Sequence, residues 1–454
     1  MTVQVVLRRT SLIPPADERS AEGKAIRERI PRSCHAAWTA PGERADPIAL
    51  LRHTDRDRLK RLIPIRYGRM LASPSAFLRG AAVVMAHDLA PTPVTGLRAW
   101  ICGDAHLGNF GGFATPERHL IFDLNDFDEA LDGPWEWDVK RLAASVVVAG
   151  RGNGLSDAEC RDAAEACVRS YRQRVRQLAA MGFLDAWYSR LDAADAFARF
   201  DDNGVAERAI AEAHRRTNPG TLPKLAEETG DGYRIADDAP LVTHHTQSLG
   251  NRLPAAWSVY QASLAADRRV LLARYRLVDV ARKVVGVGSV GLRCFVALLL
   301  GNDDDDPLFL QIKEARASVL EPFLAKRPYG NHGKRVVSGQ RIMQAASDLF
   351  LGWTHAGRVD YYVRQLRDMK FGVSTDELDA DDLVAYGGLC GWSLARAHAC
   401  SGDPARIGGY LGPGDAFDRA VAAFAVAYAD QTERDHATLV AAAKRGRVPA
   451  ERGV

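Results

Sequence analysis

The sequence predicts an α+β protein with two lobes, one large and helix-rich and one small and built on an antiparallel sheet. Three observations carry that prediction. Val278–Ser318 reads strand, glycine-rich bend, strand, polar turn, strand, in apolar runs bounded by turn residues. Much of the remaining chain shows apolar positions at helical spacing behind capping residues, as in the run that opens at Ser156. A length of 454 residues also exceeds what one hydrophobic core usually organises. The divisions expected are an N-terminal arm over 1–60, a helical lobe over 61–275, a sheet lobe over 276–372, and C-terminal helices over 373–454 that pack back on the helical lobe.

Taken in order, 1–60 holds Pro14-Pro15, clustered Arg and Glu and little periodicity, as an arm or a few short helices would. Ser73-Pro74 is a helix start, with Ser as N-cap and Pro in the first turn; Phe77, Leu78, Ala81 and Val84/Met85 follow at helical spacing. Arg66, Arg69 and Arg79 are either salt-bridging surface groups or contacts for a phosphate or acidic substrate. The run after Asp138 is an apolar helix ended by Gly150 and Gly152, and Ser156 with Glu159 forms a capping box for the next. Residues 218–240 read as a loop or insertion. His244 and His245 are adjacent, so on any regular element they point apart, which disfavours a shared metal.

In the sheet lobe, Gly286-Val287-Gly288-Ser289-Val290-Gly291 precedes a strand over Leu292–Leu300 and a solvated GNDDDD turn. A third strand over Leu308–Ile312 then ends in Lys313. Gly339–Trp353 reads helix then strand, and Tyr361–Lys370 a strand running into a hinge.

The stretch richest in chemistry is Ile101–Asp138. Asp104 and Asn109 stand on a glycine-punctuated loop with His106 between them, and a short strand over His119–Phe122 delivers Asp123. Such a loop, hairpin and strand can gather Asp104, Asn109 and Asp123 round one Mg²⁺-bound phosphate. Mg²⁺ takes hard oxygen ligands, usually only one or two of them carboxylates, and shares the rest of its shell with phosphate and water.

Gly103-Asp104-Ala105-His106-Leu107-Gly108-Asn109 resembles the G-D-x-H-x-x-N catalytic loop of the aminoglycoside and choline/homoserine phosphotransferases, the small-molecule branch of the protein-kinase-like fold. Phe122-Asp123-Leu124-Asn125-Asp126 is similar to that branch's I-D-x-x-D segment. Gly133–Ser145 resembles its D-P-x-x-D-L-A helix start, with Asp138 as the structural Asp. As a whole the chain also resembles the bacterial "domain of unknown function 2252" family, through RYGRM, SPSAFLRGAA, CGDAHLGNFG, FDLNDFDE, GPWEWD, GQRIMQ and LARAHA, from Arg66 to Gly412. That second resemblance implies no function.

The first implies ATP and Mg²⁺ as cofactors. Asp104 would accept or orient the acceptor hydroxyl's proton, with His106 beside it shaping the loop. Asn109 and Asp123 would ligate Mg²⁺, and Asp126 or Asp128 would take a second metal or face a cationic substrate. A Rossmann site needs a helix after its glycines, whereas strand, GxGxxG, strand, turn, strand and Lys is the protein-kinase arrangement. Gly286, Gly288, Ser289 and Gly291 would then cradle the β- and γ-phosphates, Lys313 would hold the α/β pair, and Val363 to Leu366 would back the adenine.

The sequence offers no clear helix Glu to pair with Lys313: Glu321 follows closely, and Gln340, Gln344 and Asp348 occupy the nearest helical run. Ala385–Asp403 resembles the helix that immediately precedes the catalytic loop in aminoglycoside kinases. Five residues after Asp403 stands Gly408 rather than Asn, so Asp104 with Asn109 keeps the catalytic role. This order of parts makes the fold a circularly permuted kinase-like one, tolerable because termini commonly lie close together at the surface. It requires Lys313 to come within reach of Asp123 across a shared cleft.

The function expected is therefore an ATP- and Mg²⁺-dependent phosphotransferase acting on a hydroxyl of a small molecule or protein. A nucleotide-binding pseudokinase or scaffold would keep the fold without turnover, and a nucleotidyltransferase would use the same metal ligands with ATP reversed. A transition-metal hydrolase would need more His ligands than His106 and His119 supply. Trp135 and Trp137 are core or a substrate wall; Glu129, Glu136 and Asp138 are capping and salt-bridge groups.

Composition bounds the partners. With 60 basic against 57 acidic residues the formal net charge is +3, which gives a nucleic acid or an anionic membrane no electrostatic footprint. Seven cysteines without a CxxC pair argue against a disulfide framework or zinc site. No apolar run approaches the ~20 residues needed to span a bilayer, and MTVQVVLRRT carries its arginines on the wrong side for a secretion signal. A cytoplasmic protein is expected, with no nucleic-acid or membrane partner.

Overall fold

The computed structural model describes residues 13–198, 211, 213, 215, 217–230, 232–244, 252–324, 329–366 and 369–453. The opening MTVQVVLRRT and His245 lie outside the described residues, as does most of the run between Ala198 and Thr217. The chain is α+β with small antiparallel sheets.

The arm folds into α1 (Ala16–Arg29) and α2 (Pro47–Asp55), followed by α3 (Ile63–Met70), α4 (Pro74–Gly80) and α5 (Ala82–Leu89). Ser73 caps α4 by accepting from the Ala76 amide, with Pro74 in the first turn. The helical run expected from Ser73 onward breaks at Ala81, whose ψ of 35° turns α5 away from α4.

Strand β1 (Arg98–Ile101) pairs with β4 (Leu131–Pro134), and β2 (Phe110–Ala114) with β3 (Leu120–Leu124). Then come α6 (Trp135–Gly152) and α7 (Asp157–Ala179), the latter opened by the reciprocal Ser156–Glu159 capping box. Trp135 is wholly buried and stacks on Tyr171, so it belongs to the core rather than to a substrate wall. Short helices α8 (Phe183–Tyr188) and α9 (Ala193–Phe197) close this part.

Residues 218–240, read from sequence as a loop, instead hold α10 (Asn218–Leu225) and the hairpin of β5 (Ala226–Thr229) and β6 (Gly232–Ile235). Beyond β7 (Val242–Thr243) lie α11 (Leu253–Ser263) and α12 (Ala266–Leu272).

The main sheet follows, in the order β11-β12-β10-β9-β8-β7, with every pair antiparallel. Its strands are β8 (Arg276–Lys283), β9 (Cys294–Leu300), β10 (Pro307–Ala315), β11 (Gly352–Ala356) and β12 (Val359–Gln365), with α13 (His332–Met343) between β10 and β11. One sheet face packs on Ala256, Tyr260, Leu264 and Leu272, so α11 and α12 join this sheet's core although the sequence grouped them with the helical lobe.

The C-terminal helices α14 (Ala380–Ala399), α15 (Pro404–Leu411) and α16 (Ala416–Lys444) share one core cluster with α6 and α7, through Leu389, Leu394, Phe417 and Phe424. Gly391 makes that contact close: a Cβ there would stand 2.2 Å from the Cys167 carbonyl oxygen. No helix among the described residues is long and apolar enough to cross a membrane.

Candidate active site

The Gly103–Asn109 loop leaves β1 and is held from three sides. Asp138, in the first turn of α6, accepts from the amides of Cys102 (2.7 Å) and Gly103 (2.9 Å). Ser145 Oγ accepts from the Leu107 amide at 3.0 Å, and Tyr386 of α14 donates its hydroxyl to the Leu107 and Phe110 carbonyls. Asp138 is itself braced by His398 Nε2 at 3.2 Å, while His398 Nδ1 meets the Tyr171 hydroxyl at 2.8 Å. The tail of α14 comes to the start of β1, where the Trp100 amide donates to Ser401 Oγ at 2.7 Å.

Within the loop, Asp104 receives Arg141 Nε at 2.6 Å, and His106 Nε2 stands 3.8 Å from its other oxygen. Burial pushes the Asp104 carboxyl up to about 7; Arg141 opposes the rise, while the charges of Glu129 and Asp126 add to it. His106 is buried, and burial with the charges of Arg141 and Arg79 holds its imidazole well below the usual range, so it is neutral. Asn109 donates its side-chain amide to the Asp104 carbonyl at 2.5 Å and accepts the Asn125 amide on its own carbonyl at 2.8 Å.

Asp123 departs from its expected place. It is buried at the end of β3, with one oxygen taken by its neighbour's amide (Leu124, 2.8 Å) and the other by the amide of Ala345 (2.8 Å). The carboxylates that meet Lys313 come just after the strand instead: Nζ lies 2.5 Å from Asp128 and 3.7 Å from Asp126. Burial opposes the Lys313 charge, yet these two groups raise its pKa well above the usual value. Burial likewise opposes the Asp126 charge, yet Lys313 and Arg364 lower its pKa.

Asp128 is thus the acidic partner of the strand lysine that sequence did not locate. Gln344 instead donates to the Leu124 carbonyl at 2.6 Å, and Glu321 lies near His332 and Arg335. Arg335 of α13 donates to the Asp128, Ala130 and Arg316 carbonyls, which ties that helix to the acidic segment.

The sheet face bearing Lys313 also presents Tyr362, its register partner on β12, whose hydroxyl donates to Asp128 at 2.8 Å. Arg364 reaches Gln311 (3.0 Å) and the Asn125 carbonyl (2.9 Å) on the same side. Alternation along the strand sends Val363 to the other face. There it lines an apolar cavity with Ile312, Tyr361, Trp257 and Tyr260, so it cannot back an adenine beside Lys313. Leu366 packs with Phe309 and Leu298, on the Lys313 side.

The Gly286–Gly291 bend joins β8 to β9, with Gly286 (φ +63°) and Gly291 (φ +89°) in the left-handed region that favours glycine. Its carbonyls are gripped from the N-terminal part of the chain: Arg69 of α3 donates to Gly286 (2.5 Å), and one nitrogen of Arg58, between α2 and α3, donates to Gly288 (2.7 Å) and Val290 (2.6 Å). Arg66 is spent elsewhere, on Asp55 at 2.5 Å. The sequence showed neither the Arg58 clamp nor the Arg141–Asp104 pair: Arg58 falls in no motif, and the stretch that contains Arg141 singled out Asp138 instead.

Among the described residues no group of three or more His, Cys, Asp and Glu is arranged as a metal site. His244 is engaged by Asp237 (2.8 Å) and Asp279 (2.9 Å).

A family profile described as "Uncharacterized protein conserved in bacteria (DUF2252)" matches residues 58–442. The chain belongs to the DUF2252 family. No curated protein and no solved structure matches it. In this DUF2252 chain the matched span opens at Arg58, the clamp on the glycine-rich bend, and takes in the candidate residues from Asp104 to Leu366.

Proposed function

We propose that this protein is an ATP- and Mg²⁺-dependent phosphotransferase, on a circularly permuted kinase-like fold, acting on a hydroxyl of a small molecule or protein. The observation that carries the reading is the meeting of Lys313, on β10, the second strand after the glycine-rich bend, with Asp126 and Asp128, which follow the Asp104–Asn109 loop. Kinases pair such a lysine with a helix Glu; here Asp128 takes that place, a departure that also suits a pseudokinase. The permutation is supported by the tail of α14 meeting β1, where an unpermuted chain would run straight on.

The donor set suits a hard cation: Asp126, Asp128 and the Asn109 side-chain oxygen Oδ1 would hold Mg²⁺. When bound, Mg²⁺ supplies charge neutralisation for the nucleotide phosphates. Lys313 adds positive charge beside them, and Asp104 receives the proton of the acceptor hydroxyl. A carboxyl poised near neutrality suits that task, because it is ionised in a useful fraction and still basic enough to take a proton. Arg141 fixes its orientation, and Asp138 and Ser145 fix the loop.

The test is incubation of the purified protein with a metabolite pool and ATP labelled in either the α- or the γ-phosphate, wild type beside Asp104→Asn. Transfer of the γ-label that Asp104→Asn abolishes supports the phosphotransferase. Transfer of the α-label would favour the nucleotidyltransferase, and binding of ATP with no transfer would favour the pseudokinase.

A further inference from the structure

The glycine-rich bend and the Asp104 loop approach a common residue, Arg79, at the end of α4. On one side, a Cβ on Gly288 would stand 3.4 Å from the Arg79 carbonyl oxygen. On the other, a Cβ on Gly108 would stand 3.5 Å from the centre of the Arg79 guanidinium and 3.3 Å from the His106 ring. Both loops therefore carry glycine where they meet Arg79: Gly288 faces its main-chain carbonyl, and Gly108 faces its guanidinium.

Neighbouring arginines have defined partners. Arg58 and Arg69 are bound to carbonyls of the bend, and Arg141 to Asp104 and the Leu78 carbonyl (2.9 Å). Arg79 is exposed, and among the described residues it donates no hydrogen bond and enters no ion pair. Its backbone is nonetheless fixed. The Ser73 cap starts its helix, and Arg141 ties the carbonyl of the preceding residue to the group that holds Asp104.

We propose that Arg79 is a phosphate-binding residue, its guanidinium holding a phosphate group beside Gly108 of the Asp104 loop. Guanidinium is suited to that task, since its planar fork matches two phosphate oxygens. The phosphate is either the terminal one of the nucleotide or one carried by the acceptor. The inference rests on the phosphotransferase reading for its biological meaning, but not for its test.

Binding of inorganic phosphate, pyrophosphate and ATP, each with and without Mg²⁺, is measured by calorimetry on wild type, Arg79→Ala, Arg79→Lys and Lys313→Met. Thermal unfolding confirms that the Arg79 variants fold. Loss of about tenfold or more in pyrophosphate and ATP affinity in Arg79→Ala, with a smaller loss in Arg79→Lys, assigns the nucleotide's tail. Loss confined to inorganic phosphate assigns the acceptor's group. ATP binding that weakens in Lys313→Met and not at all in Arg79→Ala, with phosphate and pyrophosphate also unchanged, overturns the inference and leaves the phosphotransferase reading intact. Wild type that binds none of the three probes also overturns it. Arg79-dependent phosphate binding without any transfer activity keeps the inference and removes the phosphotransferase.

Discussion

The Nζ of Lys313 lies 2.5 Å from an oxygen of Asp128, although 185 residues separate them in the chain. This ion pair joins the central strand of the main sheet to the segment that follows the catalytic-loop candidate. Breaking it by Lys313→Met leaves Asp126 and Asp128 facing each other in a largely buried site. Fully buried pairs cost about 3–5 kcal/mol to break in this way. The partial exposure of both aspartates lowers the expected loss to about 2–4 kcal/mol. Urea unfolding of the variant checks it, and ATP affinity is expected to fall with it.

Asp104 sets a pH signature. With its carboxyl raised to about 7, turnover should rise with pH through that value, and Asp104→Asn should lose it. The substitution is expected to lower the turnover rate by about a hundredfold or more while leaving ATP affinity within about threefold, because the base acts in the transition state. A pH–rate profile and nucleotide titration test both.

Stability carries the opposite sign at the same residue. Between the unfolded Asp value of about 4 and the folded value of about 7, the native state binds the proton more tightly, so the contribution of Asp104 to stability falls as pH rises across that window. Asp126, lowered by Lys313 and Arg364, contributes stability that is present above the unfolded value and lost as pH falls through its lower folded value. Denaturant midpoints from pH 4 to 8 should therefore fall less steeply, or rise, in Asp104→Asn relative to wild type.

Arg141 restrains the rise in the Asp104 pKa. Arg141→Met should move the acidic limb of the pH–rate profile upward, a shift that a purely structural role would not produce. Some stability is lost as well, since the guanidinium also bonds the Leu78 carbonyl. The pH–rate profile of the variant is the deciding measurement.

Asp138→Ala removes the acceptor for two buried amides, those of Cys102 and Gly103, at an expected cost of about 1–3 kcal/mol for each amide left unsatisfied. Because those amides set the path into Asp104, turnover should fall by more than ATP affinity does. Comparing chemical denaturation with kcat and nucleotide affinity in one variant separates the two effects.

Much of the local structure was legible. Ser73 and Ser156 announced their helices because an N-cap hydroxyl satisfies an amide that the helix itself cannot. The glycines at 286 and 291 announced a bend between strands because two of its residues need positive φ. Asp138 was legible as a structural acid through the segment around it, and it does hold the loop's backbone.

The choice between Asp123 and its neighbours was not legible. All three carboxylates lie within six residues, and only the turn after β3 decides that Asp123 points at the amides of Leu124 and Ala345 while Asp126 and Asp128 point at Lys313. Val363 failed for a related reason. Both faces of β12 are covered, so its apolar and polar residues do not reveal which face looks toward the lysine.

By itself the sequence determined many of the elements, several caps and the glycine bend, and which two stretches carry carboxylates, amides and a strand lysine, because those features rest on neighbours a few residues away. The tertiary structure alone decided which carboxylate meets the lysine, which arginines clamp the bend, and which one, among the described residues, stands unpaired beside Gly108. Those outcomes depend on side-chain directions from segments far apart in the chain, and such directions exist only once the sheet and helices have packed.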